Sequence, residues 1–514
     1  MPPSSRAIAA ACIAILLVVH GVWFAHLFSG LAVDDAYISF RYAANLAHGH
    51  GLVFNPGERV EGYSNFLWVL MMAPACAGAG DPTRWSQILG LGFSVTALAV
   101  AMDSLRRLFG IDRPLLRLAL GAGIATCAYF AAWSTGGLES GLYAALLTAF
   151  WARSAVEAAA GRPGFPIAAL LCGAIATTRP EGLLVAVAAV MLQVWRARRA
   201  PDGAQRRQAL IFVAAVLAIL LPYHTWRFMA YGPHLFPNSV HAKVGGTLVQ
   251  AGHGALYVLR NFGLPYLPLF GALAAGRGRW RQMPFWTGQC LLWGHLAVIA
   301  GAGGDWSAGR YFAPLVPLAW TLFVVALADA LESPRLAASR GLRTATVALL
   351  LAWAAGAWYW TGWKHEAVMR REFAATDRER IRLAHWLADK MPPQTRIAVY
   401  AAGQLAFYSR LYTHDMLGLN DAHIAHVAMP AMGGGFPGHE RSDAIYTLDT
   451  VRPEVIIDGH RIPGMSRHPT YSGAYVRVPI WTICEVAIRR DVLAGIVRQR
   501  GPEFLTTGGP APAR

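Results

Sequence analysis

Long apolar runs separated by short charged clusters fill the first 363 residues. The runs 7–29, 85–105, 117–134, 138–158, 165–178, 182–196, 208–230, 254–275, 284–302, 311–331 and 343–363 read as membrane-spanning helices, eleven in all, with the two between 165 and 196 short. The run from Phe66 to Ala79 is shorter and carries Pro74. It predicts a helix lying in or dipping into the membrane interface rather than crossing it. From Lys364 onward charges become frequent and long apolar runs stop. There RERIRLAHWLADKM (378–391) has amphipathic helical spacing, RIAVYA (396–401) and EVIID (454–458) have the pattern of short buried strands, and LAFYSR (405–410) that of a short helix. The pattern predicts a polytopic helical region over 1–363, including a first outer loop at 30–84, and a small α/β domain over 364–514. The tail after Thr506 is rich in Gly and Pro and is expected to be disordered. No internal repeat is visible in the membrane region.

The arginines orient this pattern. With the N-terminus in the cytoplasm, the inner loops hold Arg106, Arg107, Arg113 and Arg117; Arg153 and Arg162; Arg196, Arg198, Arg199, Arg206 and Arg207; Arg277, Arg279 and Arg281; and Arg335, Arg340 and Arg343. Counting 64–80 as a span would turn all later clusters outward. An odd number of spans leaves the C-terminal domain on the side opposite the N-terminus. The outer loops are then 30–84, STGGLES (134–140), TRPEG (178–182), 231–254 with PNSVHAK, and GGDWSAGRYFAP (303–314). They carry acids, amides, His and Trp, so the chemistry faces outward.

Composition agrees. Of 514 residues 55% are hydrophobic and only 14% charged, with mean hydropathy +0.37, against about 25% charged in soluble domains. The net charge of +16 does not imply nucleic acid, because the arginines lie in short inter-span clusters without a basic stripe of stacking aromatics. The six cysteines are scattered, and only Cys484 lies in the C-terminal region, so no disulfide framework is expected there. The first apolar run is long for a signal peptide and ends at an acidic pair instead of a small-residue cleavage site, so it reads as a retained first span.

The stretch 31–68, LAVDDAYISFRYAANLAHGHGLVFNPGERVEGYSNFLW, organises the rest. Two adjacent carboxylates, Asp34 and Asp35, stand where the first span must end, at the membrane surface. If 34–46 is helical, Asp34, Ile38, Arg41 and Asn45 share a face, while Asp35 points about 100° away. The two acids therefore have different jobs. A turn-forming loop with Gly49, Gly51, Asn55, Pro56 and Gly57 follows, then Glu61, Tyr63, Ser64 and Asn65. A carboxylate at this boundary suits a general base, because partial burial and a like-charged neighbour raise its pKa. The plainer reading is a solvated acid closing the first span.

Other polar residues carry the same two-way choice. Arg179 and Glu181 flank Pro180; the arginine could hold a lipid phosphate bidentately, or the two could close a turn as a local pair. Asp305 could hold a hydroxyl or metal and Arg310 a phosphate, or they could form a salt bridge. His241 and Lys243 face outward near the membrane, as ligands or as exposed side chains. His423, His426 and His439 lie near Asp415 and Asp421 but match no zinc spacing.

Together these features resemble the GT-C superfamily, integral-membrane glycosyltransferases that use polyprenyl-phosphate sugars. The strings at 34–68, TRPEG, PNSVHAK, GGDWSAGRYFAP and DMLGLNDAHIA (415–425) are similar to the terminal β-(1→2)-arabinofuranosyltransferase group and its relatives, across nearly the whole chain. The resemblance implies a polytopic α-helical GT-C fold of about eleven transmembrane helices with a C-terminal extracytoplasmic α/β domain, in a bacterial cytoplasmic membrane. It implies inverting transfer from decaprenyl-phospho-arabinofuranose or a similar donor to a glycan acceptor of the cell envelope. The acid of the first outer loop acts as base in that family, which maps onto Asp34 with Asp35 beside it. The polar side chains of the matching strings are then the candidate substrate contacts: Arg41, Glu61, Tyr63, Asn65, Arg179, Glu181, Asn238, His241, Lys243, Asp305 and Arg310. The sugar is not fixed by these motifs, so a mannose-type or aminoarabinose-type donor, with lipopolysaccharide or protein as acceptor, stays open.

The chemistry asks little more. A sugar phosphate leaves as a stabilised anion, so the protein must deprotonate an acceptor hydroxyl and hold the departing phosphate. Asp34 with one or more of Arg179, Arg310 and Lys243 suffices. The scheme requires no metal, although it has room for a divalent one. A transporter of glycan precursors would place charges at mid-membrane and show repeats. A membrane-anchored binding protein would not need the acidic pair.

Overall fold

The structure, a computed structural model, describes residues 3–78, 80–160, 164–263, 279, 281–307, 309–332, 339–429, 432–479 and 483–501. The second half of the expected span 254–275, the tail after Thr506, and Arg162, Arg277 and Arg335 of the inner clusters lie outside the described residues.

Helices dominate. In chain order they begin with α1 (Pro3–Leu27), α2 (Asp34–Ala47), α3 (Phe66–Ala77), α4 (Pro82–Phe109), α5 (Pro114–Ala125), α6 (Ala128–Ser134), α7 (Ser140–Ala160), α8 (Ile167–Thr178), α9 (Pro180–Arg199), α10 (Gly203–Tyr231), α11 (Asn238–Lys243) and α12 (Leu248–Val258). Among the described residues five are long and apolar enough to cross a membrane: Ala7–Leu27 of α1, α4, α9, α10 and Ala313–Glu332. Their surfaces expose Ile15, Val19, Met191, Trp195, Leu221 and Met229, side chains suited to lipid. The expected span 117–134 is two helices, α5 and α6, bent by 55°. Counted as one they make six. α8 has 12 residues and α3 also 12, with Pro74 inside, too short to cross unaided. α7 and Met283–Gly301 are helical where spans were expected. The stretch 343–363 begins in the helix Arg340–Trp358 and continues through π-helical turns at Tyr359–Ala367 into Val368–Lys390.

Local chemistry sets these boundaries. Asp81 caps α4 by accepting from the Thr83 and Arg84 amides ahead of Pro82. Gly110, at φ 69°, ends it after Arg106 and Arg107. α4 and α7 pack closely because Gly90 and Gly141 lack side chains: a Cβ on Gly141 would lie 2.4 Å from the Gly90 carbonyl oxygen.

The C-terminal residues build a five-stranded mixed sheet of order β2-β1-β3-β5-β4, from β1 (Arg396–Val399), β2 (Tyr412–Asp415), β3 (Val455–Ile457), β4 (Tyr475–Val478) and β5 (Val486–Arg489). β1 runs parallel to β2 and β3; β5 runs antiparallel to β3 and β4. RIAVYA and EVIID supply β1 and β3, and LAFYSR forms the helix Gln404–Ser409. That helix packs on α2, where Phe407 and Tyr408 meet Tyr37 with ring centroids 5.6 and 5.4 Å apart. One buried apolar cluster runs from α1 through α2 into β1, β3 and β5.

Candidate active site

A cavity of about 360 Å³ opens where α2 meets the ends of four long helices. Asp35 enters just past α1, Arg179 just before α9, Lys243 at the end of α11 beyond α10, and Arg310 just before Ala313–Glu332. The walls add Asn65, Glu139, Tyr143, Glu181, His295, Asp305 and Tyr311.

Asp35 faces this cavity and Asp34 does not line it. Arg310 Nη1 donates to Asp35 Oδ2 at 2.5 Å and stands 3.8 Å from Asp305 Oδ2, too far for a hydrogen bond. That Asp305 oxygen is buried without a hydrogen-bond partner. Burial alone pushes the Asp35 carboxyl up, but Arg310, Lys243 and His439 outweigh it and hold it well below the usual carboxylate range. Burial raises Asp305, with Arg310 and Lys243 only partly offsetting it. At Asp35 the influence of Arg310, Lys243 and His439 reverses the rise that burial alone would give, whereas at Asp34 the expected rise stands.

Asp34 is used differently. Its Oδ2 and Oδ1 accept the amides of Gly403 and Gln404 at 3.0 and 2.9 Å, capping the helix Gln404–Ser409 from outside. A Cβ on Gly403 would lie 1.8 Å from the Asp34 carbonyl oxygen, so only glycine fits there. Burial raises the Asp34 carboxyl, opposed by Arg380 and by these two amides.

A second cluster lies deeper. Arg179 pairs with Glu181 through Nε at 2.6 Å and with Glu139 through Nη1 at 3.2 Å, and lies over the rings of Tyr143 and Tyr311. Asn65 donates to Glu139 at 2.7 Å, and Tyr143 meets His295 Nε2 at 2.9 Å. Tyr63 also lines the cavity, its hydroxyl 3.3 Å from that of Tyr231.

Four expected contacts lie elsewhere. Arg41 is buried and donates to the carbonyls of Phe54, Ala406 and Leu411 and to Asn55. Glu61 is buried in a bidentate pair with Arg227, at 2.5 and 2.8 Å. Asn238 donates to the carbonyls of Gly418, Leu419 and Asp421. These three join the first and fourth outer loops to their neighbours and are not among the residues that line the cavity. His241 turns away from it, toward His234 and His426.

A terminal β-(1→2)-arabinofuranosyltransferase of Mycobacterium tuberculosis is 30% identical over 252 residues, which cover 45% of this chain and 38% of that protein. ArnT of Cupriavidus metallidurans, solved bound to undecaprenyl phosphate, superposes with a TM-score of 0.57 at 12% identity, covering 95% of this chain and 98% of that one. An oligosaccharyltransferase of Archaeoglobus fulgidus in the apo form gives 0.52 at 10% identity, over 80% and 64%. The chain has the GT-C fold. The resemblance carried by the motifs is borne out. A family profile described as a domain of unknown function (DUF8728) matches residues 368–502.

Within the GT-C fold, sequence reasoning missed Glu139 and His295, and weighed His439 only as a metal ligand. Glu139 was visible as the one acid of STGGLES. His295 was visible as a histidine inside an apolar run, a placement that usually marks function. His439 lies far along the chain, and only tertiary contact brings it to Asp35.

Proposed function

We propose that this protein transfers a sugar, arabinofuranose above all, from a polyprenyl-phosphate donor to a glycan acceptor of the cell envelope, with inversion. The observation that carries the reading is the pairing of Asp35 with Arg310 at a cavity that also holds Lys243 and continues into apolar space. A second cavity of about 450 Å³ shares Glu181, Leu184, His295 and Val298 with the first and is walled by Phe150, Val185, Leu192 and Trp286. Phosphate and sugar fit the polar chamber and the first isoprene units the apolar one. The similarity to the arabinofuranosyltransferase supports the pentose; mannose-type and aminoarabinose-type donors are the alternatives.

Asp35, instead of Asp34, is the base in this scheme. Arg310 keeps Asp35 ionised but weakly basic. A donor phosphate competing for Arg310 and Lys243 releases Asp35 and lets its pKa rise. Asp35 then takes the proton from the acceptor hydroxyl as that oxygen bonds to the anomeric carbon. The carbon–oxygen bond to phosphate breaks with its electron pair on the polyprenyl phosphate, held by Arg310 and Lys243. Arg179 with Glu139 and Glu181 shapes the far wall, and these three carry sugar or acceptor contacts. No step needs a metal or other cofactor.

We place the site on the outer face of a bacterial cytoplasmic membrane, with the N-terminus cytoplasmic, eleven spans and residues 364–514 outside. Arg106 and Arg107, Arg198 and Arg199, and Arg206 and Arg207 supporting this orientation lie at the helix ends opposite the cavity. The test is incubation of reconstituted protein with radiolabelled polyprenyl-phosphate sugars and cell-envelope glycans. Transfer of the pentose label, lost on Asp35→Asn, supports the reading; transfer of another sugar only would replace the donor, and no transfer of any would overturn it.

A further inference from the structure

Beyond the cavity, three histidines from two separate segments converge. His234 follows α10, His241 lies on α11, and His426 ends the helix Ala422–Ala425. One ring nitrogen from each lies within 4.8 Å of the other two. The ring centroids are 5.7 Å apart for His234 and His241, 5.4 Å for His234 and His426, and 4.9 Å for His241 and His426. From these contacts we infer that His234, His241 and His426 form a three-histidine site for a divalent transition metal of the zinc type, with the fourth position open to water.

The ring protons are already arranged for it. His426 Nδ1 lies 2.8 Å from the Ala422 carbonyl oxygen, which can only accept, so the proton sits on Nδ1 and the lone pair on Nε2. His241 bonds the Phe236 carbonyl, and its Nε2 is buried without a partner. A backbone carbonyl on one ring nitrogen is the usual support for a histidine that binds metal through the other. Arg441, whose guanidinium donates to the Val427 carbonyl, is the cation facing His241. It opposes binding, and three neutral imidazoles must outweigh it.

The geometry needs little change. Zinc–nitrogen bonds of about 2.0–2.1 Å in a tetrahedron bring the nitrogens to roughly 3.3 Å from one another. His234 and His426 are exposed and free to swing by the difference. Asn238, between His234 and His241, already donates to the carbonyls of Gly418, Leu419 and Asp421, so the two segments are held together before metal arrives. Imidazole-only donors suit zinc, copper and nickel over magnesium and calcium. Bound metal would clasp the loop before α11 to residues 418–426 and so hold Lys243, two residues beyond His241, at its place in the cavity wall. The inference does not depend on the identity of the sugar or on transfer itself.

The test uses full-length protein without a histidine tag, stripped by chelator in detergent. Titration with Zn²⁺ is expected to end at one ion per chain and to raise the thermal unfolding midpoint, and Co²⁺ to give the visible absorption of a four-coordinate nitrogen site. Each of His234→Ala, His241→Ala and His426→Ala should weaken Zn²⁺ binding by about tenfold or more. His423→Ala, which removes a ring paired instead with Asp443, should not. His234 is exposed, so its variant keeps the fold and remains readable if the other two do not. Failure to bind Zn²⁺ in the wild type, or equal affinity in wild type and His234→Ala, would overturn the assignment.

Discussion

Arg310 Nη1 lies 2.5 Å from Asp35 Oδ2, joining two residues 275 positions apart at the mouth of one cavity. A guanidinium this close makes the carboxylate a poor base until something else claims the positive charge. In the proposed reaction an anionic lipid phosphate is such a competitor, and the pair would link donor arrival to activation of the base.

The two adjacent acids should separate cleanly in mutants. Asp35→Asn in a reconstituted assay is expected to lower turnover by about 10²–10⁴-fold, the usual worth of a positioned general base, with the fold intact. Asp34→Ala removes a helix cap and should instead cost about 0.5–2 kcal/mol of stability. Denaturant midpoints measured beside turnover distinguish the two, and the reverse pattern would return the base to Asp34.

Arg310→Gln tests the phosphate contact and the pKa argument together. Losing the cation lets burial dominate, so the Asp35 carboxyl rises and the acid limb of the pH–rate profile moves to higher pH. Donor affinity should fall in the same variant. A profile unmoved on the acid side would detach Arg310 from Asp35 in the working enzyme.

Glu61 and Arg227 should behave as structure alone. The pair is buried and bidentate, so Glu61→Gln leaves a buried arginine uncompensated, a change that typically costs about 3–5 kcal/mol. Thermal unfolding should register that loss, while turnover per folded molecule stays near wild type.

Asp377, on the helix Val368–Lys390, supplies a pH test of stability. Burial pushes its carboxyl up to about 7, with Arg380 partly opposing and Asp34 adding to the rise. An unfolded Asp titrates near about 3.9. Between these values the native state holds a proton the unfolded chain has lost, so this group's stabilisation is complete below the lower value and is lost as pH rises through the upper. The slope is at most about 1.4 kcal/mol per pH unit. Melting curves at pH 5 and 7.5 should show wild type losing more stability than Asp377→Asn.

The sequence carried the fold unevenly. Apolar runs marked the helices, and short buried patterns marked β1 and β3, because burial leaves a periodic trace. The strands β2, β4 and β5 were missed: YTHD alternates weakly, and YVRV and VAIR are four-residue segments beside charged neighbours. The motifs marked residues that meet in space: Asp35, Arg179, Lys243, Asp305 and Arg310 all line one cavity. Roles were less legible. Helical spacing separated Asp34 from Asp35 but could not say which faced the cavity, because the partner that occupies Asp34 is the backbone of Gly403 and Gln404. Glu61 and Arg41 looked like ligands for a similar reason: their partners, Arg227 and the carbonyls of Ala406 and Leu411, are remote in sequence.

The cap that Asp34 places on Gly403 reaches across 369 residues. During synthesis the acidic pair leaves the ribosome 369 residues ahead of its partner. Asp34 and Asp35 are neighbours, so the first turn of α2 lacks one of its anchors until that later segment folds back. A partly translated chain can insert its helices before this contact exists. This anchor of the acidic pair is therefore set only after the helices up to Lys390 have been made.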